Sequence, residues 1–248
     1  VDDENADQDG MSEAFDQIDG GALDVLIIAD HASARVPDDI DLGIDPALLS
    51  NHIAIDIGVA EVSALLAAQL GCTAILGGIS RLVIDLNREA DAPGLLPVMS
   101  DGHAISGNRD ADLAQRMVRF HHPYHHQVER LLAAMTAPFI LSVHSFTPHL
   151  ASDPGQARPW EIGVLYNEDE RAARIAIPLL EAEGLIVGDQ LPYSGKQLNA
   201  TMNRHAEANG IPYLGIEIRQ DLVGDAAGQR RFAEIIGPVV LACRSGLA

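Results

Sequence analysis

One lysine, Lys196, and two cysteines are all that 248 residues contain of either type. The scarcity of lysine goes with a formal net charge of −20 at pH 7. Such a field repels nucleic-acid phosphates and anionic headgroups instead of releasing their counterions, so no nucleic-acid or membrane partner is expected. Cys72 and Cys243 stand far apart and match neither a CxxC zinc pattern nor a dense disulfide framework, which leads us to expect a reducing, cytoplasmic setting. No run of about 18 apolar residues is free of charges and breakers, and no basic-then-apolar leader is visible. Also missing are a GxSxG elbow, a GxxxxGK[ST] loop and a GxGxxG after the first apolar run. Serine-hydrolase, P-loop and dinucleotide-binding readings are therefore set aside.

What is present is a hydrophobic content of 47 %, enough to bury a substantial core. Residues 1–24 carry nine acidic and no basic side chains, too little apolar surface to order themselves. A flexible acidic tail is expected over 1–22, with Met11 a candidate start, and a single catalytic domain over 23–248. Surface carboxylate in excess reads as a solubility device, with adaptation to high salt as the other reading.

Short apolar runs bounded by turn residues alternate with segments of helical period, the pattern of an α/β fold with helices on both faces of a sheet. Strands are predicted over 24–29, 73–76, 82–86, 139–143, 161–166, 185–187 and 213–218, rich in Val, Ile and Leu. Helices are predicted over 57–70, 110–135, 169–183, 197–208 and 226–244, with Gly71, Gly184 and Gly210 as stops. Two long irregular stretches, 90–108 and 147–160, are candidate walls or lids of a pocket, and part of the specificity is expected around Gly102 and Arg158.

Polar clusters fall where strands should end: Asp30-His31 with Ser33, Asp85-Asn87-Arg88, His144-Ser145, and Glu217-Arg219-Asp221. Ligands of open α/β sheets bind beyond the carboxyl ends of strands, so these groups are expected to converge. A single histidine there would read as a hydrogen-bonded residue closing the sheet. Two, His31 and His144, each after an almost wholly apolar strand, fit a shared catalytic metal better, since zinc takes imidazoles plus a carboxylate. No HExxH or HxxE is present, and Ala34 stands three residues after His31. Asp56 is the best carboxylate candidate, with an N-cap of the following helix as its other reading.

Glu217 alternates with aliphatic neighbours in a late strand, where partial burial suits a general base; its other reading is a buried salt bridge to an arginine such as Arg219. Arg81 and Arg88 flank an apolar run, and an arginine fork beside Asn87 suits a substrate carboxylate, against the alternative of a plain ion pair. Of the run His121-His122-Pro-Tyr-His125-His126 most is discounted, because Pro123 should break or kink the helix and adjacent histidines point apart; only His125 is expected to face the pocket. His52, His103 and His149 suggest no partner, and His205 is a candidate supporting group.

At Ala29-Asp-His-Ala-Ser33, Val36-Pro37, His52-Ile-Ala-Ile-Asp-Ile-Gly58, Ser80-Arg-Leu-Val-Ile-Asp-Leu-Asn-Arg88, Ser100-Asp-Gly102, Gly107-Asn108, His122-Pro-Tyr-His125, Val143-His-Ser-Phe-Thr-Pro148, Arg158-Pro-Trp160 and Glu217-Ile-Arg-Gln-Asp221 the chain resembles the N-formylglutamate amidohydrolase family. The resemblance spans about residues 25–239, and that family is similar to the zinc carboxypeptidase and aspartoacylase group. It implies a three-layer αβα fold with a central mixed sheet, zinc carboxypeptidase-like (phosphorylase/hydrolase-like). It also implies one zinc ion on His31 and His144, with Asp56 as the inferred third ligand. Glu217 would be the general base and Arg81 the oxyanion stabiliser. Asn87 and Arg88, with Ser145 and Arg219, would hold substrate, supported by Asp85 and His125. The expected activity is hydrolysis of an N-acyl, above all N-formyl, amino acid such as N-formylglutamate. A deacylase or peptidase acting on another N-acyl substrate and a silent carboxylate-binding module remain the alternatives.

Overall fold

The computed structural model describes residues 11–21 and 23–247; expectations placed on residues 1–10 lie outside that range. In chain order the elements are β1 (Met11–Ser12), β2 (Phe15–Ile18), β3 (Val25–Ala29), α1 (Val59–Leu70), β4 (Thr73–Gly77), β5 (Met99–Ser100), β6 (His103–Ala104), α2 (Leu113–Arg116), α3 (His122–Ala133), β7 (Phe139–Phe146), β8 (Ile162–Leu165), α4 (Arg171–Ala182), β9 (Val187–Asp189), α5 (Ala200–His205), β10 (Tyr213–Arg219) and α6 (Ala226–Leu247).

Eight strands form one mixed sheet in the order β1-β2-β4-β3-β7-β10-β8-β9. Its centre, β4-β3-β7-β10, is parallel, while β2 and β8 run antiparallel to β4 and β10. Val-Leu-Ile-Ile-Ala in β3 and all eight residues of β7 are buried, as expected of parallel strands covered on both faces. Helices α1, α4 and α6 pack together over one face; α3 and α5, joined through His125 and His205, belong to the other layer. Gly71 and Gly210 end their elements in the left-handed conformation at φ 64° and 68°, a region a side chain disfavours.

Four expectations need correction. The tail does not reach residue 22: Phe15–Ile18 pairs in register with Ala74–Gly77 of β4, so an acidic neighbourhood conceals a strand that only β1 separates from the edge of the sheet. The helix expected over 110–135 opens into a π turn at Met117–His121 before Pro123 enters the first turn of α3, where a missing N–H costs little. His144 lies inside β7 and does not follow it.

The run 82–86 is no strand, though it is wholly buried. Its backbone turns at Ser80–Val83, and Asp85 N–H donates to Leu95 O. The carbonyls of Leu82, Val83 and Leu86 accept from the side chains of Asn108, Arg116 and His125. Buried carbonyls must be paired, and here side chains from distant segments replace a neighbouring strand.

Candidate active site and metal centre

β3 ends at Ala29, and the next two residues, Asp30 and His31, form the turn that leaves the sheet. The register of β3 on β7 matches Ile28 with Ser142, so two residues further on Asp30 comes beside His144. On the other side of β7, His144 and Glu217 of β10 are direct register partners. Period-two alternation therefore delivers His144 and Glu217 to one face at the carboxyl ends of central strands.

Asp56 arrives from a loop. Its backbone N–H donates to His31 O at 3.0 Å. The residue capping α1 is Gly58, which uses no side chain, so the N-cap reading of Asp56 does not hold. Its carboxylate faces both imidazoles, with Oδ2 2.9 Å from His144 Nδ1 and 3.4 Å from His31 Nδ1. The opposite ring nitrogens meet other acids: His31 Nε2 lies 2.7 Å from Asp85 Oδ1, and His144 Nε2 is 3.3 Å from Asp30 Oδ2. At His31 the hydrogen bond of Nε2 to Asp85 leaves Nδ1 to a metal, the arrangement that supports metal-bound histidine; at His144 a carboxylate faces each ring nitrogen, with the hydrogen bond made by Nδ1 to Asp56.

His31, Asp56 and His144 are all buried, and one ligand atom from each lies within 4.8 Å of the others. His31 Nδ1 has no hydrogen-bond partner among the described residues. Charge agrees with geometry. Asp30, Asp56 and Asp85 are all held below the ordinary carboxylate range, because the two histidines and Arg81 outweigh the burial that opposes ionisation. Against the one guanidinium of Arg81, these three carboxylates leave two negative charges. A divalent cation would neutralise both. Without one the protons of the histidines do so: burial opposes their ionisation, yet Asp85 and Asp56 raise the pKa of His31, and Asp30 and Asp56 that of His144. The donor set fits a small divalent metal with imidazole and carboxylate ligands.

Glu217 is 8 % exposed. Burial, reinforced by Asp56 and opposed by His144 and Arg81, pushes its pKa up to about 7. Its Oε2 has no partner among the described residues. The salt bridge to Arg219 is not formed: Arg219 pairs with Asp221 at 2.8 Å and donates to the carbonyls of Pro159 and Trp160. Arg219 does not line the cleft, which corrects its expected role in holding substrate.

The cleft over these groups has a volume of about 320 Å³. His31, Asp56, His144, Glu217, Arg81, Asp85, Asn87, Arg88 and Ser145 all line it. Arg81 bridges Asp56 and Asp85 at 3.2 and 3.0 Å. Arg88 donates to Asn87 O, and its nearest carboxylate oxygen, on Asp85, is 3.9 Å away, which leaves most of its fork unpaired among the described residues. Asn87 Oδ1 accepts from Thr201 N, and Ser145 Oγ donates to Ile57 O.

His125 does not face the cleft. It is buried behind it, with Nε2 on Leu86 O and Nδ1 2.8 Å from His205 Nε2. Burial and the neighbouring His121 hold it neutral, its pKa far below that of free imidazole. Its contact is thus with the backbone next to Asn87.

Three contributors were given no role by the sequence reading. Asp30, anchored by Tyr124 Oη and Thr201 Oγ1, stands behind His144; its place directly before His31 was the available signal. His52 pairs with Asp101 at 3.1 Å, and Asp101 also accepts from Ala151 and Ser152 N–H, so one carboxylate ties together the two long irregular stretches. Tyr193 lines the cleft with nothing local in sequence to announce it.

The N-formylglutamate amidohydrolase family model matches residues 23–223. The chain belongs to the N-formylglutamate amidohydrolase family. Among solved structures, a gene product of Agrobacterium tumefaciens, Atu2144, superposes with a TM-score of 0.87 at 30 % identity, covering 94 % of this chain and 96 % of that one. N-formylglutamate amidohydrolase from Ralstonia eutropha JMP134 is similar in fold, with a TM-score of 0.71 at 19 % identity, over 94 % of this chain and 99 % of that one. No curated protein sequence matches. Membership of an N-formylglutamate amidohydrolase family makes the chain an amide-hydrolysing enzyme that acts on a small molecule. Among the described residues no helix is long and apolar enough to cross a membrane.

Proposed function

We propose that the protein is a zinc-dependent, carboxypeptidase-like amidohydrolase that removes the N-acyl group, above all formyl, from an amino acid such as N-formylglutamate. One zinc ion would be held by His31, Asp56 and His144. The observation that carries this reading is the pairing of Nδ1 of both histidines with Asp56, while each Nε2 is backed by a further carboxylate.

Bound there, zinc would supply a Lewis acid that polarises the acyl carbonyl and acidifies a water molecule. Glu217, whose raised pKa places it near neutrality, takes a proton from the attacking water and returns one to the leaving amine. Arg81, fixed by two carboxylates, offers its fork to the developing oxyanion. Arg88, with Asn87 beside it, grips the amino acid's carboxylate and aligns the scissile bond. Asp30 and Asp85 orient the two imidazoles, and His125 holds the backbone of the loop that carries Asn87.

The experiment is a metal analysis of the purified protein followed by a screen of N-formyl, N-acetyl and N-succinyl amino acids with and without chelator. We expect about one zinc per chain and chelator-sensitive release of free amino acid, fastest from the formyl compounds. Undiminished turnover after complete metal removal would defeat zinc dependence, and tight binding without turnover would favour a silent carboxylate-binding module. A single catalytic domain, which takes in β1 and β2 ahead of residue 23, and the cytoplasmic setting are part of the same proposal.

A further inference from the structure

Glu217, Gly163 and Gly188 stand in one row across β10, β8 and β9, since Glu217 pairs in register with Gly163 and Gly163 with Gly188. A Cβ on Gly163 would lie 2.4 Å from Leu191 O, and one on Gly188 2.3 Å from the same oxygen. Only two bare backbones side by side let the chain after β9 settle onto the sheet next to Glu217. Gln190 closes the turn, its side chain donating to Tyr166 O and accepting from Gly195 N–H. Two residues past Leu191 is Tyr193, which shares the cleft with Glu217.

The oxygen of Tyr193 accepts from Arg158 Nη1 at 3.0 Å, and the Arg158 guanidinium carbon lies 4.9 Å from the centre of the ring. Arg158 is 6 % exposed. Its other partners are Thr147 O and Gln156 Oε1, so among the described residues no carboxylate neutralises it. A buried cation without a counterion is costly to keep, and here it is spent on a phenol. Burial, with the charge of Glu217, outweighs the opposing pull of Arg158 and raises the pKa of Tyr193, so the proton stays on oxygen. With its acceptor side taken by a cation, the phenol has an O–H to offer and no acceptor among the described residues. Arg81, held by Asp56 and Asp85, lines the same cleft, so the phenol would act beside it.

We infer that Tyr193 is a catalytic residue, donating a hydrogen bond to the oxygen that gains negative charge as the amide is attacked, and that Arg158 is the positioning residue that holds and polarises it. The inference rests on the amidohydrolase reading above. A donor backed by a buried cation gains most where charge develops, so its contribution falls on the transition state more than on bound substrate.

The test compares zinc-loaded wild type, Tyr193→Phe, Arg158→Lys, Arg158→Met and the Phe/Met double variant on the N-formyl amino acid that the wild type cleaves fastest. Tyr193→Phe should lower kcat about 100-fold, in the range for loss of one oxyanion donor, with KM, zinc content and thermal midpoint unchanged. A tetrahedral phosphonate analogue should lose affinity by the same factor as kcat/KM. Arg158→Lys should retain most of the rate, and Arg158→Met should lower kcat when Tyr193 is present but not when it is Phe. A kcat for Tyr193→Phe within about threefold of wild type, or a loss carried wholly by KM, overturns the inference. In that event an inactive Glu217→Gln in the same assay leaves the amidohydrolase reading standing. A wild type that cleaves none of the N-acyl compounds removes both. Should Arg158→Met fail to fold, Tyr193→Phe decides alone.

Discussion

Glu217→Gln should abolish turnover and at the same time stabilise the metal-free protein. Glutamine fills the same volume but cannot ionise. In the folded chain the carboxyl of Glu217 titrates at about 7 against an ordinary 4.5, a rise worth on the order of 3 kcal/mol at about 1.4 kcal/mol per pH unit. The direction follows from the burial that raises the pKa. Below about 4.5 both folded and unfolded chains keep the proton and Glu217 costs nothing. Between 4.5 and 7 the unfolded chain loses its proton while the folded chain holds it, so stability falls, and above 7 the whole penalty is present. The variant lacks this loss. In chelator, urea unfolding at pH 8 should therefore find Glu217→Gln more stable than wild type by on the order of 3 kcal/mol, and the two should converge near pH 4.5. Reloaded with zinc, the variant should bind metal and release no measurable amino acid. Equal urea midpoints at pH 8, or turnover within about tenfold of wild type, would refute the assignment of Glu217 as a buried general base.

Asp85→Asn replaces the carboxylate behind His31 Nε2 with a neutral amide, and we expect zinc affinity to fall about 10- to 100-fold in competition with a chromophoric chelator; unchanged affinity would show that the charge of Asp85 does not support the ring as a ligand. Since His31 and His144 both have raised pKa values in the metal-free protein, zinc binding at pH 7 should release protons. Calorimetry in buffers of differing ionisation enthalpy measures that release, and an enthalpy independent of buffer would contradict it. Arg88→Ala should raise KM about 10- to 100-fold, the loss of one charge-assisted carboxylate contact, with kcat little changed; an unaltered KM would place substrate recognition elsewhere.

Much of this was legible in sequence where one period or one apolar run decides the outcome. Val25–Ala29 and Phe139–Val143 could hardly be anything but buried central strands, and His31, His144 and Glu217 followed from where such strands carry polar groups, although β7 runs on through His144 to Phe146. The failures share a cause. Leu82–Leu86 has the apolar density of a strand, but its carbonyls are met by Asn108, Arg116 and His125 from far along the chain, which no local pattern encodes. Phe15–Ile18 is short, and its acidic surroundings hide its alternation. Arg219 keeps the parity of Glu217, yet as the last residue of β10 it turns to Asp221, two positions on. Asp56 could be only a candidate, because its role depends on a loop meeting the turn after β3. Tyr193 depends on two glycines that are neighbours only once β8 and β9 have paired.

The central claim is that two imidazoles and Asp56 hold one cation through the Nδ1 atoms. The most direct measurement is a crystal structure of the zinc-loaded protein with anomalous data at the zinc edge. We expect a single strong peak about 2.0–2.2 Å from His31 Nδ1, His144 Nδ1 and an Asp56 oxygen, with Glu217 nearby but not a ligand. Zinc bound through either Nε2, held by Asp30 or Asp85 in place of Asp56, or absent from the cleft would contradict the account.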